Sequence, residues 1–102
     1  MMNTKINYLY RDASNYKVYN EAVINGILSV EDIETILECR FDGNWFIPRR
    51  VGLPEKRFEE WTEDDTDYFE LDEDSFEIVE EEPTVDITPE KLVKLFERQL
   101  WY

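Results

Sequence analysis

Residues 59–82, EEWTEDDTDYFELDEDSFEIVEEE, hold 14 of the chain's 25 acidic residues and none of its 11 bases. Carboxylates at that density must stay in water, because burying an unpaired charge is prohibitively costly. Yet Trp61, Tyr68, Phe69, Leu71, Phe76, Ile78 and Val79 are threaded through the same stretch and give it apolar surface to bury. An extended chain reconciles the two demands, since successive side chains of a strand point to opposite sides. From Tyr68 to Asp72 it sends Glu70 and Asp72 outward and Phe69 and Leu71 inward; the same alternation turns Phe76 and Ile78 inward and leaves Glu77 in solvent. Outward carboxylates two residues apart are then spaced by about 6.6 Å, close to the phosphate spacing along a DNA strand.

The other 78 residues carry 11 acids and 11 bases, so the formal net charge of −14 belongs to that one segment. With 102 residues the chain reads as a single compact domain, 1–102, with one modest core. Aromatics at 15 % and hydrophobic residues at 42 % set it apart from a disordered acidic tail. The sign of the charge excludes simple binding of nucleic acid or an anionic membrane through a basic face. The chain has no histidine, which removes Ser-His-Asp and Cys-His nucleophiles and His-ligated zinc. Its one cysteine, Cys39, has no internal disulfide partner and reads as a reduced, partly buried thiol. Gly26, Gly43 and Gly52 stand too far apart for a GxGxxG turn or a P-loop. No apolar run approaches a membrane span, and the opening MMNTKINYLY does not have the regions of a signal peptide, so the expected setting is the cytoplasm.

Periodicity predicts an α+β domain, a mainly antiparallel sheet with two helices packed on one face. In Lys5 to Tyr10, Ile6, Tyr8 and Tyr10 alternate with Lys5, Asn7 and Leu9 as in a strand. Tyr16 to Ile24 repeats the pattern with Tyr16, Val18, Asn20, Ala22 and Ile24; a helix is the competing reading, because Tyr19, Val23 and Ile27 fit its period. Ser29 caps a first helix whose stripe is Val30, Ile33, Ile36, Leu37 and Phe41, ended by Asp42-Gly43-Asn44. Trp45 to Ile47 is a short strand closed by Pro48, and an irregular connection follows to Lys56. Phe58 to Trp61 reads as a helical turn. Asp67 to Leu71 and Phe76 to Val79 read as a hairpin connected through Asp72 to Ser75. Thr88 and Pro89 open a second helix running to Gln99, with Leu92, Val93, Leu95, Phe96 and Leu100 on its apolar face. Tyr8, Tyr10, Tyr16, Tyr19, Trp45, Phe46, Phe58 and Trp61 could form a stacking platform, but without a basic groove they are expected to pack in the core.

The candidate functional surface is the acidic segment: Glu60, Trp61, Glu63, Asp64, Asp65, Asp67, Tyr68, Glu70, Asp72, Glu73, Asp74 and Glu77, aimed at a basic surface of another protein. Trp61 and Tyr68, ringed by carboxylates, suit cation–π contact with arginine. The expected role is that of a non-enzymatic acidic binding protein, a DNA-mimic inhibitor of a nucleic-acid-binding protein; an immunity-type protein neutralising a basic toxin is the alternative. A solvated face that only keeps the domain soluble is the third reading. No catalytic residue, cofactor or metal ligand set stands out. Glu63 to Asp67 and Asp72 to Asp74 offer hard oxygen ligands but no calcium-loop glycine or distal glutamate. The oligomeric state stays open.

The stretches YLYRDASNYK, Tyr8 to Lys17, and GLPEKRFEEWTEDD, Gly52 to Asp65, resemble an uncharacterised family of small acidic bacterial proteins. That resemblance implies a bacterial cytoplasmic protein of a kind associated with mobile elements, and it transfers no activity. In composition the chain is also similar to acidic inhibitors that phages and mobile elements direct against host nucleases, a physical analogy without a shared motif.

Overall fold

A computed structural model describes residues 2–11, 17–41, 44–55 and 68–99. The expected helical turn Phe58 to Trp61 lies outside these residues, as do the expected core places of Tyr16, Phe58 and Trp61. β1 (Asn3–Arg11) and β2 (Lys17–Ile24) form an antiparallel ladder running from Thr4 opposite Ile24 to Arg11 opposite Lys17. Alternation puts Thr4, Ile6, Tyr8 and Tyr10 on one face with Val18, Asn20, Ala22 and Ile24, and all but Val18 are buried. A helix through Tyr16 to Ile24 would have buried Tyr19 instead; Tyr19 is 76 % exposed, which also corrects its expected place in the core.

The other edge of β1 is shared by two pieces of chain. β4 (Phe69–Glu70) lies opposite Tyr10 and Leu9, and β5 (Phe76–Val79) opposite Ile6 to Asn3, while β3 (Trp45–Phe46) adds to β4 from outside. The order is β2-β1-β4-β3 with β5 also on β1, and every pairing is antiparallel. The hairpin expected around Asp72 to Ser75 does not form. β4 and β5 run in the same direction along one neighbour, and the residues between them fold into a 3-10 turn, Glu73–Ser75, that bulges out of the ladder. The reason is local: the Asp72 carboxylate accepts from the Asp74 N–H at 2.9 Å, and the Ser75 hydroxyl accepts from the Asp72 N–H at 3.0 Å, closing a capping box. Phe69 and Leu71 are buried as expected, but Phe76 is half-buried and Ile78 is 59 % exposed; β5 pairs with β1 alone, whereas β4 is flanked by β3 as well.

α1 (Val30–Glu38) begins at Ser29 with a capping box to Asp32, and α2 (Pro89–Glu97) begins at Thr88 with Pro89 in its first turn. α1 stops at Glu38, short of the expected Asp42, and Val30, expected in its buried stripe, is 73 % exposed. Arg40 then donates to the carbonyls of Leu37 (2.8 Å) and Leu71 (2.6 Å), tying the end of α1 to the stretch after β4. Ile36, Leu92 and Phe96 join Ile6, Tyr8, Tyr10, Ala22 and Ile24 in one core, so both helices cover the same face of the sheet. Its centre is aromatic: Phe46 meets Tyr8 edge-on at 5.5 Å and stacks on Phe96 at 5.7 Å, and Phe69 lies 5.1 Å from Tyr10.

Two buried polar residues fasten the start of β1. Thr4 donates to the Gly26 carbonyl (2.9 Å) and accepts from the Leu28 N–H (3.0 Å), while Asn3 accepts from the Gly26 N–H (3.0 Å) and donates to the Glu81 carbonyl (2.9 Å). Gly26 has φ +120°, and a Cβ there would stand 3.1 Å from Pro89, so this turn requires glycine.

Candidate protein-binding face

Cross-strand partners share a side of the sheet, which assigns Asn3, Lys5, Asn7, Leu9 and Arg11 to the face away from the helices, with Lys17, Tyr19, Glu21, Glu70 and Glu77 beside them. Six expected site residues fall among or next to these. Glu70 is half-buried and held by Arg11, with Nε 2.8 Å from Oε2 and the second guanidinium nitrogen 3.4 Å from Oε1. Glu77 is exposed and accepts from the Asn7 amide at 2.8 Å. Asp72, Glu73 and Asp74 are exposed on the bulge. Tyr68 is half-buried and stacked on Phe41, ring centres 5.1 Å apart, so one side of its ring is already covered. Glu60, Trp61, Glu63, Asp64, Asp65 and Asp67 lie outside the described residues.

The even row expected from Glu70 to Asp72 is not carried by a strand: β4 ends at Glu70, and Asp72 turns its carboxylate back onto the bulge. What forms instead is a shallow hollow of about 290 Å³ lined by Asn7, Leu9, Tyr19, Glu70, Asp72 and Asp74, among others. Tyr19 was not among the expected site residues. Its signal was present, since it lies on the off-core side of an alternating strand, but an aromatic in a strand reads first as core. Bases are set into this face as well as acids. The Lys5 ammonium lies 2.6 Å from Glu81 and 3.5 Å from Glu21, and the hydrogen bond to Glu81 is the main cause that raises its pKa.

The remaining titratable groups give no catalytic constellation among the described residues. The Tyr8 hydroxyl donates to the Pro54 carbonyl at 2.6 Å, and burial, helped by Glu55, pushes its pKa well above the ordinary value. Burial chiefly, then Glu97 and Glu38, raises the Cys39 thiol, the opposite of what a nucleophilic thiolate needs. A larger hollow of about 560 Å³ runs along α2 from Thr88 to Glu97 beside Asp32 of α1, but its Asp32 and Thr88 side chains cap the helices and its Lys94 pairs with Glu90 at 3.0 Å. No group of three or more metal-ligating side chains comes together among the described residues, and no helix among them is long and apolar enough to cross a membrane.

These features define an α+β domain with an acid-rich, aromatic-bearing face opposite its helices. No protein-family model matches the chain, and no curated protein or solved structure matches it either.

Proposed function

We propose that this protein is a non-enzymatic acidic binding protein whose helix-free face and adjoining acidic segment engage a basic surface of another protein, as an inhibitor occupying a groove built for nucleic acid. The observation that carries this reading is the exposed Tyr19 flanked by Glu70, Asp72 and Asp74 around one hollow. An aromatic face beside carboxylates suits an arginine, which takes cation–π contact and charge-assisted hydrogen bonds together. The net charge of −14 speeds encounter with a cationic partner. A cytoplasmic, bacterial setting accords with it.

The pairing of Lys5 and Arg11 with acids on this face favours a second reading, an immunity-type protein that neutralises a basic toxin. A mosaic of both signs suits one tailored protein surface better than a groove that reads uniform phosphate. The test captures partners from bacterial lysate with the wild type and with Glu63, Asp64, Asp65, Asp67, Asp74 and Glu77 changed to lysine, followed by release with duplex DNA. A partner lost in the variant, released by salt and displaced by DNA supports the inhibitor. A tight one-to-one partner that DNA does not displace supports the immunity reading. Equal retention by both versions with the same salt dependence overturns both.

A further inference from the structure

Among the described residues β2 is the outermost strand of its side of the sheet, and its outer edge is only partly occupied. Val23 turns its backbone groups away from β1: its N–H donates to the Thr84 hydroxyl (2.9 Å), and its carbonyl accepts from the Thr84 N–H (2.8 Å). By the period of two, Lys17, Tyr19 and Glu21 point their N–H and C=O groups the same way. Among the described residues these groups meet no partner, and all three side chains are exposed on the helix-free face. A strand edge in this condition is a template for another strand.

We propose that the occupant is a second copy of this chain, with β2 paired antiparallel to its own copy about a two-fold axis beside Tyr19. The charge pattern selects this register. Centred on Tyr19, the pairing sets Lys17 opposite Glu21 of the other copy and Glu21 opposite Lys17, so both charged contacts are attractive. Tyr19 faces Tyr19, and since Leu9 lies opposite Tyr19 in β1, an apolar row crosses the seam from one β1 to the other. Lys17, Tyr19 and Glu21 all sit at hydrogen-bonding positions, which gives about six new backbone bonds. The segment at Thr84 and Val85 blocks the edge at Val23 and limits the pairing to this length. Net charge does not forbid it. Strands are about 4.8 Å apart, so Glu70 on β4, in the row of Tyr19, stands five spacings, about 24 Å, from its copy, three screening lengths at physiological salt.

This pairing shares Tyr19 with the acidic-surface reading, but the two fail separately: a monomeric protein would leave partner capture by the acidic segment untouched, and loss of that capture would leave the mass of the dimer unchanged. The test is sedimentation equilibrium over a range of concentrations. The wild type is expected to reach the mass of two chains. Lys17→Glu is expected to weaken the dimer about tenfold or more by placing like charges opposite each other, and Lys17→Glu with Glu21→Lys to restore it. Tyr19→Pro removes an outward N–H without touching the β1 ladder and is expected to give one chain. A covalent readout traps the pairing even where it is weak. In a Cys39→Ser background, Tyr19→Cys places two thiols at a Cα separation of about 5.5 Å, within disulfide range, and crosslinks on oxidation. Lys17→Cys, about 14 Å from its copy, does not. A wild type that stays single at every concentration, a dimer indifferent to Lys17→Glu, or a charge swap that fails to restore pairing overturns the proposal.

Discussion

β1 is paired without interruption on one side and in two pieces on the other. Along β2 a single register holds for eight residue pairs, and each even residue of β1 faces a core-side partner. On the other side the register slips by three residues between Leu9 opposite Glu70 and Ile6 opposite Phe76, and the slack is taken up by the acidic bulge. The continuous side is sealed by hydrophobic alternation, and the broken side by a few large anchors. Phe69 and Leu71 are buried before the break, whereas Phe76 and Val79 beyond it are only half-buried. A segment crowded with carboxylates can therefore dock on a sheet by committing two apolar residues and looping its charges out, which a regular strand would not allow.

The largest test of that difference is Phe69→Ala. Phe69 is fully buried against Tyr8 and Tyr10, so the truncation should cost about 3–5 kcal/mol, read as a drop in the urea midpoint, while Ile78→Ala on the far side of the break should cost less than about 0.5 kcal/mol. Equal losses would show that both pieces carry the sheet alike. Asn3→Ala ranks next. It removes a buried side chain that bonds the β2–α1 turn and the chain after β5 together, and leaving those backbone groups unmet should cost about 1–3 kcal/mol. Asp72→Ala should cost about 1 kcal/mol by opening the cap of the bulge, with hydrogen exchange of the Asp74 and Ser75 amides accelerated and that of β1 and β2 little changed.

What could be read ahead of the structure follows the same divide. β1 and β2 announce themselves because every second residue is apolar over a long run. The helices do so because Ser29 with Asp32, and Thr88 with Pro89, are start signals of known geometry. Asp72-Glu73-Asp74-Ser75 misleads because polar turn residues between two short apolar runs look alike whether the chain reverses or merely bulges. Only the neighbour decides, and that neighbour is some sixty residues away in β1. The exposure of Tyr19, Val30 and Ile78 also follows from their neighbours: Tyr19 lies on the side of β2 away from the helices, Val30 stands at the first position of α1, and Ile78 lies on a strand paired with β1 alone. Of the expected binding surface, Glu70, Asp72, Asp74 and Glu77 come to one side of the sheet, but the tyrosine at their centre is supplied by β2.

The smallest effect separates the two faces of β1 by pH. On the core face of β1, Tyr8 donates to the Pro54 carbonyl, and burial raises its pKa; on the outer face of the same strand, Lys5 is raised by its hydrogen bond to Glu81. Both folded-state values lie above the unfolded ones, near 10.0 for Tyr8 and 10.5 for Lys5. The folded state therefore binds these protons more tightly, so their contributions are fully present below about pH 10 and decline as pH rises beyond it. Tyr8→Phe should flatten the alkaline fall in stability measured by urea unfolding from pH 8 to pH 11, because the burial that resists ionisation no longer has a proton to hold. Lys5→Met should flatten it by less, since its ammonium is exposed to screening by solvent and salt. A larger change from Lys5→Met than from Tyr8→Phe would mean that the outer face, and not the aromatic core, governs the alkaline limit of this sheet.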